Sequence, residues 1–219
     1  MSELSPVELL QKWDYETNHI PVEESTLPYR FEFQTLRLLA KGQPVSAEMV
    51  GNKLGIPKRI AQSVFEASAG RGEWDNEGRL IGSALTLVPT PHRFRINDKD
   101  LYTWCAQDTI LLPGILGMTA EIVSPDPLNG ELIKLVISPE GPREYIPEST
   151  VLTIFQATEP ATGPSSAVCT NSHYFTSQAS AEEWSQGRPS VRILTVDEAF
   201  AQIKQNLLDV VRPILDQLD

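Results

Sequence analysis

Helical and strand-like patterns do not alternate along this chain. Helical spacing of apolar residues dominates the first part, strand-like segments dominate the second, and a long amphipathic pattern closes the sequence. A parallel sheet covered by helices requires regular alternation, whereas the order seen here is typical of α+β proteins. We therefore predict an α+β fold in which a helical module packs on a mixed, mainly antiparallel sheet with a long C-terminal helix.

The first predicted module, residues 1–90, has the pattern of a winged helix-turn-helix. Ser46 is placed to cap one short helix, Gly55 follows in a turn, and Pro57 opens another helix. The next segment alternates around an "NEG" turn, as a hairpin does, in EWDNEGRLIGSALTL. Two short helices and a hairpin in this order predict a winged-helix-like module.

The charge of the chain argues against nucleic acid as a partner. The formal net charge is −11, and residues 1–90 hold nine basic and twelve acidic residues, a net charge of −3. The helix that would read DNA offers Lys58, Arg59 and Arg71, too few for a phosphate-binding face. We expect no nucleic-acid partner and no attraction to anionic membranes.

No apolar run is long enough to cross a membrane. The longest, ILLPGILGM, is about half of the ~18 residues that a span requires, and it contains a proline. The first residues, MSELSPVELLQKWDYE, lack the basic and apolar regions of a signal peptide. A cytoplasmic location is therefore expected, where the two cysteines would be free.

The second predicted module, residues 91–219, carries most of the strands. Segments with strand patterns are HRFRI, TAEIVS, ELIKLVIS, TVLTIFQA, SAVCTNSHYF and RILT, with the loop TEPATGPS between the fourth and the fifth. Between the first two, NDKDLYTWCAQDTILL predicts a helix capped by Asp98 or Asp100. Pro113 and Gly114 would end or kink it.

Two capping boxes are predicted near the C-terminus. Ser180 and Glu183 have the required spacing in SAEEW, and Thr195 and Glu198 have it at the start of the closing helix. The closing helix, TVDEAFAQIKQNLLDVVRPILDQL, has one apolar stripe that we expect to be buried. Its members are Phe200, Ile203, Leu207, Val210, Ile214 and Leu218.

Candidate chemistry is concentrated at two cysteines and one acid. Cys105 and Cys169, the only cysteines, lie too far apart in the chain for a CxxC box. Cys105 and Asp108 are three positions apart, so on a helix both would project to one face. Free cysteines are often core residues and acids are often solvated, so this pair alone leaves a purely structural role open.

The apolar surroundings of Asp108 favour a functional interpretation. The segment TILLPGILG follows it at once, and a carboxyl group in a dry environment has a raised pKa and can carry a proton at neutral pH. If the sheet places Cys169 opposite Cys105, the protein holds two soft thiolates and one proton donor in a single pocket. The three histidines are scattered, and His173 is a possible addition to this set.

Several segments together resemble the organomercurial, or alkylmercury, lyases. They are LAKGQPVS, LYTWCAQDTILLPGILGMTA, AVCTNSHYFTS, AEEW and VDEAF, in the family's order and spacing over roughly residues 30–205. By this resemblance Cys105 and Cys169 are the mercury-binding cysteines, and Asp108 handles the proton. The family's fold, a winged-helix-like helical part on a mixed sheet core, agrees with the fold predicted above.

The resemblance implies protonolysis of carbon–mercury bonds. Mercury(II) is soft and prefers thiolate ligands, so two thiolates weaken its bond to carbon while a carboxylic acid delivers the proton. A near-linear bis-thiolate ion would place the sulfurs about 4–5 Å apart, twice a metal–sulfur distance of ~2.3 Å. Mercury is then substrate and product, no cofactor is expected, and Trp104 and Leu111 should line an apolar site. Small thiols and a mercuric reductase are the expected acceptors of mercury(II).

One departure from the family's pattern and two other functions remain open. Thr170 follows the second cysteine, and no cysteine lies between the two, so the auxiliary thiols of some relatives have no counterpart here. A metal-responsive winged-helix DNA-binding regulator would need a basic face on residues 57–71. A cysteine hydrolase would use Cys105 as nucleophile, with His173 as base and Asp108 as orienter, and would leave the second cysteine idle.

Overall fold

The first part of the structure, a computed structural model that describes residues 4–155 and 166–218, is helical. Ser5 and Glu8 form a capping box at the start of the first helix, and the Ser46 hydroxyl caps the third. The four helices are α1 (Pro6–Asn18), α2 (Leu27–Leu39), α3 (Ala47–Leu54) and α4 (Lys58–Ala67).

Most of the strands form one large sheet. The members are β1 (Glu73–Trp74), β2 (Leu80–Ser83), β3 (Leu85–Thr86), β4 (His92–Ile96), β5 (Lys99–Thr103), β6 (Ala120–Pro125), β7 (Leu132–Ser138) and β8 (Gly141–Ile146). They lie in the order β1-β2-β3-β5-β4-β6-β7-β8, and their pairings are antiparallel. A smaller antiparallel sheet has β9 (Val151–Phe155) between β10 (Tyr174–Phe175) and β11 (Val191–Thr195).

The described residues of the second part form five further helices. They are α5 (Ala106–Leu116), α6 (Ala167–Thr170), α7 (Gln178–Trp184), α8 (Val196–Ile203) and α9 (Asp209–Leu215), with a π-helical turn at Lys204–Leu208 between the last two. Separate helical and antiparallel parts confirm the predicted α+β class. None of the helices in the described part of the chain has the length and apolar composition to cross a membrane.

Helix α5 lies at the centre of the second part. It packs against α2, α8 and the large sheet, and most of its side chains are buried. Gly114 lets the π-helical turn approach closely, since a Cβ there would lie 2.6 Å from Leu208 Cδ1. The start of α5 is therefore held in place by contacts along its whole length.

The hairpin predicted as a wing continues the large sheet. β3 pairs with β5, with Leu85 opposite Thr103. Strands from both predicted modules thus share one sheet. The winged-helix interpretation and the division at residue 90 stay predictions.

The helix predicted from Asp98 or Asp100 is wrong at its start. Residues Lys99–Thr103 form β5, which returns from β4 through Asn97 and Asp98, whose φ values are 44° and 61°. Two adjacent residues with positive φ close a tight hairpin. The segment therefore pairs with β4, and the helix begins only at Ala106.

Two more predictions are wrong around Cys169. SAVCTNSHYF is not one strand, because Ser166 caps the short helix α6 and only Tyr174–Phe175 pair with β9. The capping box predicted at Ser180 is also wrong, because the helix starts one turn earlier and the Ser177 hydroxyl accepts the Ser180 N–H. The end of TVLTIFQA and the loop TEPATGPS lie outside the described residues.

The closing helix has its predicted capping box at Thr195, and its predicted apolar stripe packs on the core except at Val210. A π-helical turn adds one residue to the turn, so beyond it the buried positions move along the chain by one. Val210, predicted to be buried, is 66% exposed, whereas Val211 is 2% exposed. Leu208 and Leu215 are buried with it.

Candidate active site

Cys105 caps the N-terminus of α5. Its backbone is extended, with φ −154° and ψ 175°, and its N–H donates to Asp108 Oδ2 at 3.1 Å. This is the arrangement of a capping box, with cysteine and aspartate in the places usually taken by Ser or Thr and by Glu. Helix capping therefore brings Cys105 and Asp108 together, whereas the prediction placed both inside a helix.

The Asp108 carboxyl group is set for proton transfer. The Cys105 thiol donates to Oδ2 of Asp108 over 3.3 Å. Burial raises the pKa of Asp108 to about 7, and the hydrogen bonds from Cys105 offset this only in part. Near neutral pH both forms of the group are populated, so it can accept a proton and later donate it.

Cys169 reaches the site because the segment that carries it is fastened to the start of α5. The Ala106 N–H donates to the Ser172 carbonyl oxygen at 3.1 Å, and the Ser172 hydroxyl donates to Gln107 Oε1 at 3.0 Å. Sequence reasoning missed Ser172 and Gln107, since no local pattern links residues so far apart in the chain. These bonds bring the second cysteine to the first.

The two sulfurs and the carboxyl group form one cluster. One ligand atom from each of Cys105, Asp108 and Cys169 lies within 4.8 Å of the other two. Both cysteines are free, and they are 1% and 4% exposed, respectively. A sulfur–sulfur separation of no more than 4.8 Å is compatible with the separation of about 4–5 Å expected for a two-coordinate soft metal ion.

The two thiols have different acidities. The neighbouring Cys169 sulfur raises the pKa of the Cys105 thiol, and burial raises it further. The Cys105 thiol in turn lowers the pKa of Cys169, because it stabilises a thiolate there. Cys169 therefore ionises first, and Cys105 keeps the proton that Asp108 is placed to accept.

Two different groups of residues surround the cluster. Trp104 packs with the two cysteines in a small buried cluster separate from the main core, and it is 8% exposed. Beside the carboxyl group, Asp108 and Leu111 border a depression of about 270 Å³. The other lining residues, which sequence reasoning missed, are Gln107, Gln202, Ile203, Asn206 and Leu207.

The histidine invoked for a hydrolase is engaged elsewhere. His173 Nε2 lies 3.0 Å from the Thr170 carbonyl oxygen, and the imidazole ring contacts the rings of His92 and Trp184. Burial lowers the pKa of His173. Among the described residues, no histidine belongs to the cluster of Cys105, Asp108 and Cys169. The geometry therefore does not support a Cys-His-Asp arrangement.

The helix that would contact DNA has little free positive charge. Lys58 pairs with Glu48 at 2.8 Å, Arg59 is exposed on the same helix, and Arg71 lies beyond the end of the helix at Ala67. Phosphate binding depends on clustered Lys and Arg. The structure thus gives no support to a DNA-binding regulator.

Comparisons with known proteins agree on one family. Residues 85–208 match the profile of MerB, alkylmercury lyase. An alkylmercury lyase of Staphylococcus epidermidis is 37% identical over 165 residues, which are 75% of this chain and 76% of that protein. Another, of Pseudomonas putida, is 36% identical over 186 residues, 84% of this chain and 83% of that protein. A crystal structure of the mercury-bound form of MerB2 has the same fold, with a TM-score of 0.63 and 23% identity, over 78% of this chain and 94% of that one.

Proposed function

The chain belongs to the alkylmercury lyase family, and we propose that Cys105, Cys169 and Asp108 carry out its reaction. The enzyme cleaves carbon–mercury bonds by protonolysis and yields a hydrocarbon and mercury(II). The observation that carries the residue assignment is the cluster of two thiols and one acid within 4.8 Å. Two soft ligands and one proton donor are what the reaction requires.

Mercury enters the site on Cys169. The thiolate forms there first because the neighbouring Cys105 thiol lowers the pKa of Cys169. It displaces the anion X from R–Hg–X, forming a sulfur–mercury bond, and the proton that Cys169 lost goes to solvent with X. The organic group R is still bonded to mercury at this stage.

Cys105 then binds the same mercury atom. Its proton passes to Asp108 Oδ2, which lies 3.3 Å from the sulfur. The new thiolate adds a second sulfur ligand, and the added electron density weakens the bond from mercury to carbon. The base in this step is a carboxylate whose pKa of about 7 lets it hold the proton afterwards.

Asp108 returns the proton to carbon. The electron pair of the carbon–mercury bond takes the proton from the carboxylic acid, R–H leaves, and mercury(II) remains between the two sulfurs. Asp108 becomes a carboxylate again. Two thiol protons are consumed in total, one by carbon and one by solvent, so the steps balance without any cofactor.

The organic group would lie in the depression beside Asp108. Proton transfer requires the carbon to come within hydrogen-bonding reach of the carboxyl group, and Asp108 borders this space together with Leu111, Ile203 and Leu207. Its volume of about 270 Å³ is ample, because an apolar cavity of about 150 Å³ already holds benzene. Small alkyl groups and single aromatic rings are therefore suitable substrates.

Thiols outside the protein take mercury(II) from the two cysteines. Both sulfur ligands lie in a nearly closed site, so a small thiol is a better first acceptor than a large protein surface. A mercuric reductase would then receive the metal. The burial of Cys105 and Cys169 supports this order of transfer.

Replacing either cysteine tests the residue assignment. Cys105→Ser and Cys169→Ser should each reduce methane release from methylmercury in excess thiol by at least about 100-fold, because a soft ligand is lost. Headspace gas chromatography measures the product, and Thr170→Ala, an exposed neighbour of Cys169, is the matched control. Near-normal turnover by Cys169→Ser would rule out the two-sulfur site.

A further inference from the structure

A carboxylate from the β1–β2 hairpin holds the indole ring beside the two cysteines. Trp104 Nε1–H donates to Glu73 Oε2 at 2.8 Å, and the Thr86 hydroxyl donates to the same oxygen at 2.6 Å. A charged acceptor makes both bonds stronger than bonds between neutral groups. The indole is thus fixed at its polar end as well as by packing.

The place of this carboxylate depends on a glycine opposite it. Glu73 and Gly82 are partners across β1 and β2. A Cβ at Gly82 would lie 2.0 Å from Glu73 Oε2 and 2.7 Å from Thr86 Oγ1. The φ angle of Gly82 is not in the left-handed region, so close approach is what requires glycine here.

The turn between β2 and β3 also holds the backbone of the same tryptophan. The Trp104 N–H donates to the Ala84 carbonyl oxygen at 2.9 Å. Trp104 directly precedes Cys105, the cap of α5, and it packs with Cys105 and Cys169 in their buried cluster. A change in the angle of the indole therefore acts directly on the space around the sulfurs.

We propose that Glu73 is a positioning residue for the reaction. It holds the Trp104 indole as the wall that keeps water and solutes away from the two sulfurs, so part of the active site is built by the hairpin. Without this acceptor the indole N–H has no partner at a mostly buried position, and the ring turns to find one. This inference rests on the proposed function of Cys105 and Cys169.

Alkylation of the two thiols separates positioning from mere stability. Glu73→Ala should raise the rate at which iodoacetamide labels Cys105 and Cys169 in the folded protein by about tenfold, and lower kcat/KM for methylmercury by about tenfold. Glu73→Gln keeps an oxygen acceptor and should stay near wild type. Mass spectrometry of the labelled peptides gives the rate at each cysteine.

A matched control lies on the same hairpin. Asp75 accepts hydrogen bonds from Glu77 N–H and Arg79 and makes no bond to Trp104. Asp75→Ala should therefore weaken the hairpin while leaving thiol labelling and kcat/KM within about twofold of wild type. Gly82→Ala, which displaces the Glu73 carboxylate, should behave like Glu73→Ala and serves if that variant does not fold.

Two outcomes would overturn the inference. One is equal thiol labelling in Glu73→Ala and Asp75→Ala; the other is a full effect of Glu73→Ala in a Trp104→Phe background, where no indole N–H remains to be held. Failure of the proposed function looks different. In that case the wild-type enzyme releases no methane from methylmercury, while the labelling difference between the two alanine variants persists.

Discussion

Two aspartates lie in the interior of the second part of this protein, and they have opposite acidities. Asp108 has a pKa raised from 3.8 to about 7. At Asp126, burial also raises the pKa, but hydrogen bonds to the carboxylate lower it more, so the net pKa is below its usual value. Asp126 has no exposed surface, whereas Asp108 is only partly buried, so burial alone does not explain the difference.

The two pKa values differ because the two carboxylates accept different numbers of hydrogen bonds. Asp126 accepts four hydrogen bonds, from the Leu128 N–H, the Thr176 N–H and hydroxyl, and the Ser180 hydroxyl, at 2.8 to 3.0 Å. Among the described residues, only Cys105 donates hydrogen bonds to Asp108, and one of its two donors is a weak S–H group. A buried aspartate remains an anion when it is fully hydrogen-bonded, and it becomes a proton carrier when it is not.

Removing the carboxyl group of Asp108 should have the largest effect, and the effect should be on activity. Asp108→Asn keeps an oxygen that can accept the Cys105 N–H but cannot carry a proton, so kcat should fall by about 10² to 10⁴-fold while the fold is retained. Methane release and urea unfolding at pH 7 measure the two properties. Turnover close to wild type would remove Asp108 from the reaction.

The same substitution at the other aspartate should act on stability. Asp126→Asn replaces one acceptor with an amide N–H that faces existing donors, and it should lower the free energy of unfolding by about 2–4 kcal/mol. Activity of the protein that remains folded should be unchanged, because Asp126 does not belong to the sulfur cluster. A catalytic loss without a stability loss would break the comparison.

The pH dependence of stability should have opposite signs at the two sites. Asp108 has a raised pKa in the folded state, so its favourable contribution is complete below pH 3.8 and is lost as pH rises towards about 7. The loss is at most about 1.4 kcal/mol per pH unit, and less because the side chain is only partly buried. Asp126 has a lowered pKa, so its contribution is present above the usual value and is lost as pH falls through the folded pKa.

Urea unfolding at several pH values separates these contributions. The stability of Asp108→Asn relative to wild type should increase between pH 4 and 7, a range taken from the shift of Asp108 from 3.8 to about 7. Asp126→Asn should lack the wild-type loss in acid. A pH-independent difference between either variant and wild type would show that the carboxyl group in question does not titrate differently on folding.

Removing one hydrogen-bond donor to Asp126 should give the smallest effect. It should raise the pKa of Asp126, as at Asp108, where fewer donors are present. Ser180→Ala deletes the hydroxyl that donates to Asp126 Oδ2 at 2.8 Å. The free energy of unfolding should fall by about 1 kcal/mol, and the acid loss of stability should begin at a higher pH. If stability were lost in acid at the same pH as in wild type, the Ser180 hydroxyl would not be lowering the pKa of Asp126.

Local patterns predicted the fold class and some of its element boundaries. Ser46 and Thr195 cap helices as their sequence contexts indicate. The errors arose where the backbone conformation of a few residues changed the path of the chain that follows them. Positive φ at Asn97 and Asp98 turns the chain back into β5, and the π-helical turn moves Val211 into the core in place of Val210.

The candidate site was predictable in its members but not in its construction. The spacing of Cys105 and Asp108 and the family resemblance pointed to residues that the structure brings together, although the pair meets through helix capping. No local pattern could place Cys169 beside them, because the contacts that do so come from Ser172. The donors of Asp126 are likewise distant in sequence, so its role is visible only in the folded chain.

The hydrogen bond from the Ala106 N–H to the Ser172 carbonyl oxygen has a consequence for the synthesis of the protein in cells that contain mercury. Before the segment carrying Cys169 docks on α5, each cysteine is a single thiol that exchanges metal with every other thiol around it. Docking places one sulfur at a high effective concentration near the other, and only then does the pair hold metal as a chelate. A chain that is still being synthesised therefore binds mercury(II) less tightly than the folded enzyme does.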